Sequence, residues 1–300
     1  MIKLYIGEKY MYKLIAIDLD GTLLNSYGKI SDKNKNAIEK AKENGIEVII
    51  ASGRHITSVK SFAKEINSEN YSICGNGAIL YDMKNDEILY NKFINKEKIL
   101  EIIEVCEHNN IYYNIYTETQ ILTRTIEYSA LFYKQENEKK DSKYKTNIRV
   151  VEDLYNFIKN DSSNNYIKVT IYDDNLSIFN RIIQKLREIE DIDVLDVGHM
   201  SRKMIKVNDE DVELKYYYTE ITKNDVNKWN AIKVLMNKLN IRTSEVVAIG
   251  DNINDKEMLE SAGLGVVMGN SAEYVKEFGN IVVKDNDSDG VAQAIEEYVI

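Results

Sequence analysis

The fold is decided by one stretch near the N-terminus, Leu14-Ile15-Ala16-Ile17-Asp18-Leu19-Asp20-Gly21-Thr22-Leu23. Its first four residues form an unbroken apolar run, which is typical of a short strand buried on both faces of a parallel sheet. Two acidic residues and a glycine follow at once, which indicates a turn. Ligands of parallel α/β sheets bind at the carboxyl ends of strands, so Asp18 and Asp20 lie where a site is expected. Residues two apart in an extended chain share a side, so both carboxylates can meet one small charged species.

The same alternation of apolar strand and helix occurs at both ends of the chain. After the first strand it predicts a helix over about 31–44, a strand over 48–51, a helix over about 56–66 and a strand over 71–74. Towards the C-terminus it predicts a helix over 229–239, strands over 246–249, 265–268 and 281–283, and a last helix from about 289. Buried strands separated by helices indicate an α/β fold with a Rossmann-like, doubly wound parallel sheet.

The middle of the chain has a different pattern. Stretches such as Ile111–Tyr116, Tyr166–Tyr172 and Val212–Tyr218 alternate apolar and polar residues, which favours a sheet with one solvated face. We therefore expect an α/β domain over 83–215, inserted into a core formed by 11–82 and 216–300, with 1–10 as an N-terminal extension. The charged stretch Lys134–Lys145 is interpreted as a solvated helix or loop without a function.

Composition excludes several classes of partner. The chain has 300 residues, more than one compact core usually absorbs, and 39 basic against 49 acidic residues, a net charge of −10. This acidity argues against nucleic acid or an anionic membrane as a partner. Two cysteines, no apolar run long enough to span a bilayer and no signal sequence predict a cytoplasmic protein. We expect a monomer or a small homo-oligomer.

A second acidic cluster, Gly250-Asp251-Asn252-Ile253-Asn254-Asp255, follows the strand predicted over 246–249. Asp251 comes directly after that strand, as Asp18 does after the first one. Carboxylates from separate strand ends are ligands that suit Mg²⁺, which takes one or two carboxylates together with substrate phosphate. The alternative is a simple helix-capping turn, but two acidic turns at two strand ends make coincidence a poor explanation.

Two further segments have the chemistry of anion binding. Ser52-Gly53-Arg54 follows the strand over 48–51 and precedes a helix, where a hydroxyl and backbone N–H groups can bind phosphate. Lys228 begins the helix over 229–239, a position at which the helix dipole disfavours a cation unless an anion lies beside it. The alternative for Lys228 is an ordinary solvated surface lysine.

These four segments resemble the motifs of the haloacid dehalogenase (HAD) superfamily, and specifically its Cof-type sugar-phosphatase branch with a large inserted α/β cap. Asp18–Leu23 matches D-x-D-G-T-L, Ser52–Arg54 matches the Ser/Thr-Gly-Arg motif, and Gly250–Asp255 matches G-D-x-x-N-D. Lys228 matches the lysine that heads a helix, with Trp229 in place of the usual glycine. Asn76-Gly77-Ala78 looks like the segment at which the family's chain passes into its cap.

The resemblance implies a Mg²⁺-dependent phosphatase acting on a small phosphorylated metabolite, such as a sugar phosphate or a phosphorylated cofactor. It implies that Asp18 is the nucleophile that forms an aspartyl-phosphate and Asp20 the general acid and base. The implied metal ligands are Asp18, the Asp20 carbonyl and Asp251, and the implied phosphate-binding residues are Ser52, Gly53, Lys228 and Asn254. Asp255 would orient Lys228 or a metal-bound water, and Arg54 is either a substrate contact or a structural ion pair.

Two other functions remain possible from the residues. A phosphosugar mutase of the same superfamily would use the same aspartates and return the phosphoryl group, and a non-catalytic metabolite-binding protein could share the fold. His55, His108 and His199 show no metal-ligand spacing and are interpreted as structural or exposed. Cys74 is interpreted as core packing, and the cluster of tyrosines in the middle segment as sheet packing.

Overall fold

The computed structural model describes residues 12–195, 201–207 and 210–300, with the backbone alone for 201–207 and 210–214. The chain divides into two compact units. The first contains residues 12–53, Phe62–Tyr90 and Asn227–Ile300, and the second contains Arg54–Ser61 and Asn91–Val226. The predicted extension 1–10 and His199 lie outside the described residues.

The strands of the described residues are, in chain order, β1 (Leu14–Ile17), β2 (Glu47–Ala51), β3 (Tyr71–Cys74), β4 (Ile79–Asp82), β5 (Glu87–Asn91), β6 (Tyr112–Thr117), β7 (Gln120–Thr123), β8 (Asn147–Val150), β9 (Tyr166–Asp173), β10 (Ile192–Val194), β11 (Ser201–Val207), β12 (Glu210–Lys223), β13 (Val246–Gly250), β14 (Leu264–Val267) and β15 (Ile281–Val282). The helices are α1 (Asp32–Glu43), α2 (Ile56–Glu65), α3 (Lys96–His108), α4 (Tyr128–Glu138), α5 (Leu154–Asn160), α6 (Leu176–Leu186), α7 (Lys228–Leu239), α8 (Lys256–Ser261), α9 (Glu273–Lys276) and α10 (Gly290–Tyr298).

The first unit is built on an eight-stranded sheet in the order β15-β14-β13-β1-β2-β3-β4-β5. Strands β15 to β3 run parallel, and β4 turns back antiparallel to β3. Alternate strand residues such as Leu14, Ile49 and Ala248 pack with Trp229 and Leu235 of α7. The intervening strand residues are buried as well, because helices cover both faces. The predicted α/β class with a Rossmann-like, doubly wound sheet is confirmed.

The second unit contains a seven-stranded, mainly antiparallel sheet in the order β10-β12-β9-β6-β7-β8, with β11 paired to β12. One face of this sheet, including Ile115, Val169 and Ile221, forms an apolar core with α3, α5 and α6. The other face carries Tyr112, Tyr172 and further tyrosines, whose rings pack against one another. The alternation in the sequence therefore reflects one apolar face and one aromatic, polar face.

The bounds of the two units differ from the predicted bounds of the inserted domain at three points. Residues 83–90 belong to the first unit, because β5 joins the edge of the first sheet. Residues 216–226 belong to the second, because β12 continues to Lys223 and pairs with β9 and β10. Residues 54–61, which include the first turn of α2, also belong to the second unit. Within the described residues, no helix has both the length and the apolar character needed to cross a membrane.

Candidate active site

The two acidic loops lie side by side at the carboxyl edge of the first sheet. Strands β1 and β13 are parallel neighbours in the register Ile17↔Ile249. The residues that follow the two strands therefore lie next to each other at the same edge of the sheet. The Asp18 N–H extends this pairing by donating to the Ile249 carbonyl at 3.0 Å. Asp18 and Asp251, which are 233 positions apart in sequence, are thus neighbours because of the strand order.

Lys228 is buried between two of the carboxylates. Its Nζ lies 2.5 Å from Oδ1 of Asp18 and 2.5 Å from Oδ1 of Asp255. Asn227 begins α7 by accepting a hydrogen bond from the Asn230 N–H at 2.8 Å, which places Lys228 in the first turn. Burial opposes the charge on Lys228, but the two carboxylates outweigh it and raise the pKa of the lysine. The alternative of a solvated surface lysine is therefore wrong.

Asp251 is held by residues from both acidic loops. The Thr22 hydroxyl donates to its Oδ1 at 2.7 Å, and Oδ2 of Asp255 accepts hydrogen bonds from the N–H groups of Asp251 and Asn252 at 2.9 and 3.1 Å. Gly21, with φ of +85°, leaves room for Asp251, since a Cβ atom there would lie 2.4 Å from its Oδ2. Sequence reasoning assigned no role to Thr22, although a hydroxyl two residues after an acidic pair was a usable signal.

Three carboxylates lie close together here. Oxygen atoms of Asp18, Asp251 and Asp255 lie within 4.8 Å of one another. Burial raises the pKa of Asp18 to about 7, and burial together with the charge of Asp18 raises that of Asp251 well above its usual value. This excess of buried negative charge over the single charge of Lys228 fits a divalent cation on Asp18 and Asp251. Asp255 already binds Lys228 and two amides, which fits the orienting role that the resemblance implies.

Ser52, Gly53 and Asn254 come together through a residue to which sequence analysis assigned no role in the site, Asn76. The Ser52 carbonyl accepts a hydrogen bond from the Asn76 N–H at 3.1 Å, and Asn254 Nδ2 donates to Asn76 Oδ1 at 3.1 Å. A Cβ on Gly53 would lie only 2.5 Å from the same Oδ1.

Asp20 has an exposed side chain in the turn after β1.

Arg54 has its partners in the second unit. Its guanidinium lies 2.6 Å from Oε1 of Glu136, donates to the Ser58 hydroxyl at 3.2 Å and lies over the Phe132 ring at 5.4 Å. Lys140 pairs with the other oxygen of Glu136 at 2.8 Å. Of the two interpretations of Arg54, these contacts favour the structural ion pair. The stretch 134–145 contains the end of a helix and a loop, and residues such as Lys134 and Lys139 are exposed as expected. Glu136 and Lys140 differ from that prediction, because their ion pairs leave both side chains largely buried.

His55 and Cys74 have the structural character expected of them. The His55 ring is buried with its nitrogens 2.9 Å from the Thr57 hydroxyl and 3.0 Å from the Thr117 carbonyl, and burial lowers its pKa to about 4. Cys74 is a buried free thiol at the end of β3.

Fold and site together define a class. A parallel α/β core interrupted by an inserted α/β unit, with acidic loops and a buried lysine at the carboxyl edge of the sheet, is the arrangement of a hydrolase with a discontinuous, Rossmann-like core. The chain belongs to the haloacid dehalogenase-like hydrolases, whose family model matches residues 15–295. The predicted family is confirmed, and the protein is an enzyme of the phosphatase type.

Relatives and solved structures match over nearly their whole lengths. Phosphatase YwpJ of Bacillus subtilis is 30% identical over 293 residues, 93% of this chain and 97% of the relative. The 5-amino-6-(5-phospho-D-ribitylamino)uracil phosphatase YcsE of the same organism is 27% identical over 96% of each chain. A haloacid dehalogenase-like hydrolase structure from B. subtilis has a TM-score of 0.78 and 28% identity, covering 96% of this chain and all of the other.

Proposed function

We propose that this protein is a Mg²⁺-dependent phosphatase that hydrolyses phosphate monoesters of small metabolites through an aspartyl-phosphate on Asp18. The observation that carries the proposal is the pair of 2.5 Å contacts of Lys228 with Asp18 and Asp255, beside the Asp251 carboxylate. A carboxylate with one oxygen oriented by a buried ammonium group is suited to nucleophilic attack.

In the first step a carboxylate oxygen of Asp18 attacks phosphorus, the bond from phosphorus to the ester oxygen breaks, and Asp20 gives a proton to the departing alkoxide. In the second step water attacks phosphorus, gives its proton to Asp20, and the bond to Asp18 breaks, which releases phosphate and restores both aspartates. The exposure of Asp20 suits a group that exchanges protons with leaving group and water.

The remaining residues bind the negatively charged phosphoryl group and hold the charged side chains in position. Ser52, the Gly53 backbone, Lys228 and Asn254 bind and orient the phosphoryl oxygens. Asp255 holds Lys228 in place through Oδ1 and the Asp251 loop through Oδ2. Mg²⁺ bound by Asp18, the Asp20 carbonyl and Asp251 supplies positive charge that offsets repulsion between carboxylates and an anionic substrate.

The proposed substrates are sugar phosphates or phosphorylated cofactors. Support comes from the relative YcsE, whose name describes a phosphatase acting on a phosphorylated ribitylamino-uracil, a small molecule with a phosphorylated polyol chain. That protein is similar to this chain over 96% of its length. A phosphorylated sugar or polyol is therefore the first class to test.

The test is phosphate release from a panel of phosphorylated sugars, polyols, nucleotides and cofactors, with and without Mg²⁺. We expect turnover of at least one sugar or polyol phosphate, lost on addition of a chelator. Asp18→Asn should remove turnover while the protein stays folded, and Asp174→Asn, an exposed carboxylate in the second unit, is the matched control. Absence of release from every ester, or interconversion of sugar phosphates without release, would contradict the proposal.

A further inference from the structure

Strand β3 ends in a buried turn with unusual backbone geometry. Gly75, Asn76 and Gly77 have φ of 59°, 59° and 101°, so three successive residues have positive φ. Asparagine tolerates this region better than most residues, but the conformation still costs energy, and it persists only where surrounding contacts hold it. The contacts of Asn76 and Gly77 show which segments of the site hold this turn in place.

Asn76 joins two loops that come from different strands. Its N–H donates to the Ser52 carbonyl at 3.1 Å, which ties it to the loop after β2. Its Oδ1 accepts from Nδ2 of Asn254 at 3.1 Å, which ties it to the loop after β13. The same oxygen occupies the space that a Cβ of Gly53 would fill, since such an atom would lie 2.5 Å away. One side chain thus determines where Asn254 and Gly53 can lie.

Gly77 brings the turn against a third element. A Cβ atom on Gly77 would lie 2.1 Å from the Asn227 carbonyl oxygen and 2.9 Å from the backbone nitrogen of Lys228. The turn therefore packs on the backbone at the start of α7, next to the lysine that holds Asp18. Ser52 and Gly53, Asn254 and Lys228 all adjoin this three-residue turn.

We infer that Asn76 is a positioning residue that holds Asn254 and the Ser52–Gly53 loop at the spacing required to bind one phosphoryl group. The inference rests on the proposed function for the identity of the bound anion. Asn76 acts through Asn254, because its side-chain oxygen orients the Asn254 amide by accepting one of its hydrogens. The positive φ is the conformation that lets its N–H reach Ser52 while its side chain reaches Asn254.

The test compares Asn76→Gly with the native protein in titrations of inorganic phosphate at saturating Mg²⁺, followed by calorimetry. Glycine adopts the same backbone conformation without strain, so the variant should fold while losing only the side-chain amide. We expect its affinity for inorganic phosphate to fall at least fivefold. The matched control is Asn240→Gly at the end of α7, which removes an amide from the same left-handed conformation (φ 56°) and should leave phosphate affinity unchanged.

A cycle with Asn254→Ala tests whether the effect passes through Asn254. If it does, the phosphate affinity of the double variant Asn76→Gly/Asn254→Ala should equal that of whichever single variant binds phosphate less tightly. Native phosphate affinity in Asn76→Gly, or strictly additive losses in the double variant, would overturn the inference. A protein that binds phosphate but releases none from any ester would contradict the proposed function alone, because the comparison of variants does not require turnover.

Discussion

The Nζ atom of Lys228 lies 2.5 Å from the Oδ1 of Asp18, and both side chains are almost fully buried. A second contact of the same length, to Asp255, makes the lysine a bridge between β1 and the loop after β13. An ammonium group removed from water needs such partners, and so do the carboxylates. The contacts therefore tie together two strand ends that are distant in sequence, and the carboxylates of Asp18 and Asp255 keep Lys228 charged despite its burial.

Replacement of Lys228 by methionine should cost both activity and stability. The variant leaves two buried carboxylates, Asp18 and Asp255, without their cation, so we expect the free energy of unfolding to fall by about 3 kcal/mol at pH 7. Because Asp18 also loses its orienting contact, kcat/KM should fall by at least about 100-fold. Urea unfolding and phosphate-release assays measure the two effects. Lys233→Met, an exposed lysine on the same helix, should change neither, and a Lys228→Met enzyme with near-native kcat/KM would contradict the role of this contact.

Asp251→Ala should weaken the binding of the divalent cation severely. The substitution removes one of two proposed carboxylate ligands, so the Mg²⁺ concentration for half-maximal activity should rise by about 100-fold or more. Thr22→Val keeps the shape of the side chain but removes the 2.7 Å hydrogen bond to Asp251, and a smaller rise of about fivefold is expected. Activity measured against Mg²⁺ concentration tests both. Native activity of Asp251→Ala at limiting Mg²⁺ would contradict the assignment of Asp251 to the metal site.

Cation binding should release protons near neutral pH. The pKa of Asp18 is raised from 3.8 to about 7 by burial, so below pH 7 its carboxyl is largely protonated, and a cation must displace that proton. Apparent Mg²⁺ affinity should therefore fall by about tenfold per pH unit below pH 7. Without metal, this group makes the protein more stable as the pH falls from 7 towards 4, because the folded state binds more protons than the unfolded one.

Calorimetric Mg²⁺ titrations at pH 6.5 in buffers of different ionisation enthalpy measure this proton release directly. Asp18→Asn, which cannot take up the proton, should lose the contribution of this group to the buffer dependence. Binding enthalpies of the native protein that are independent of the buffer would show that Asp18 is already ionised at that pH.

Substitution of Arg54 should affect stability more than substrate binding. Glu136 is largely buried between Arg54 and Lys140, and these two cations hold the pKa of its carboxyl below the usual value despite the opposing effect of burial. Arg54→Met and Glu136→Gln should each lower the free energy of unfolding by about 2 kcal/mol or more, with a coupling energy of about 1–2 kcal/mol in a double-mutant cycle. If Arg54 instead contacts substrate, Arg54→Met will raise KM strongly with no coupling to Glu136.

Much of the core sheet was predictable because its signals are local. The predicted strands Leu14–Ile17 and Tyr71–Cys74 correspond residue for residue to β1 and β3, since short and mainly apolar runs between polar turns have few alternatives to a buried strand. The edge strand β5 was assigned to the inserted domain, because nothing within Glu87–Asn91, a short apolar run between polar ends, indicates which of the two sheets it joins. That residues 54–61 belong to the second unit was missed for a different reason, since their partners, such as Thr117 and Glu136, are more than 60 positions away.

The sequence by itself determined the class of fold and the chemical types of the site residues. Both follow from short segments, because an apolar strand followed by an acidic or hydroxyl-bearing turn can be recognised within ten residues. Only the tertiary structure decided which side chains meet: Lys228 with Asp18 and Asp255, Thr22 with Asp251, Asn76 with Asn254, and Arg54 with Glu136. These pairings depend on strand order, helix placement and burial, which arise from packing across the whole chain. They therefore cannot be recognised from the sequence of any one segment.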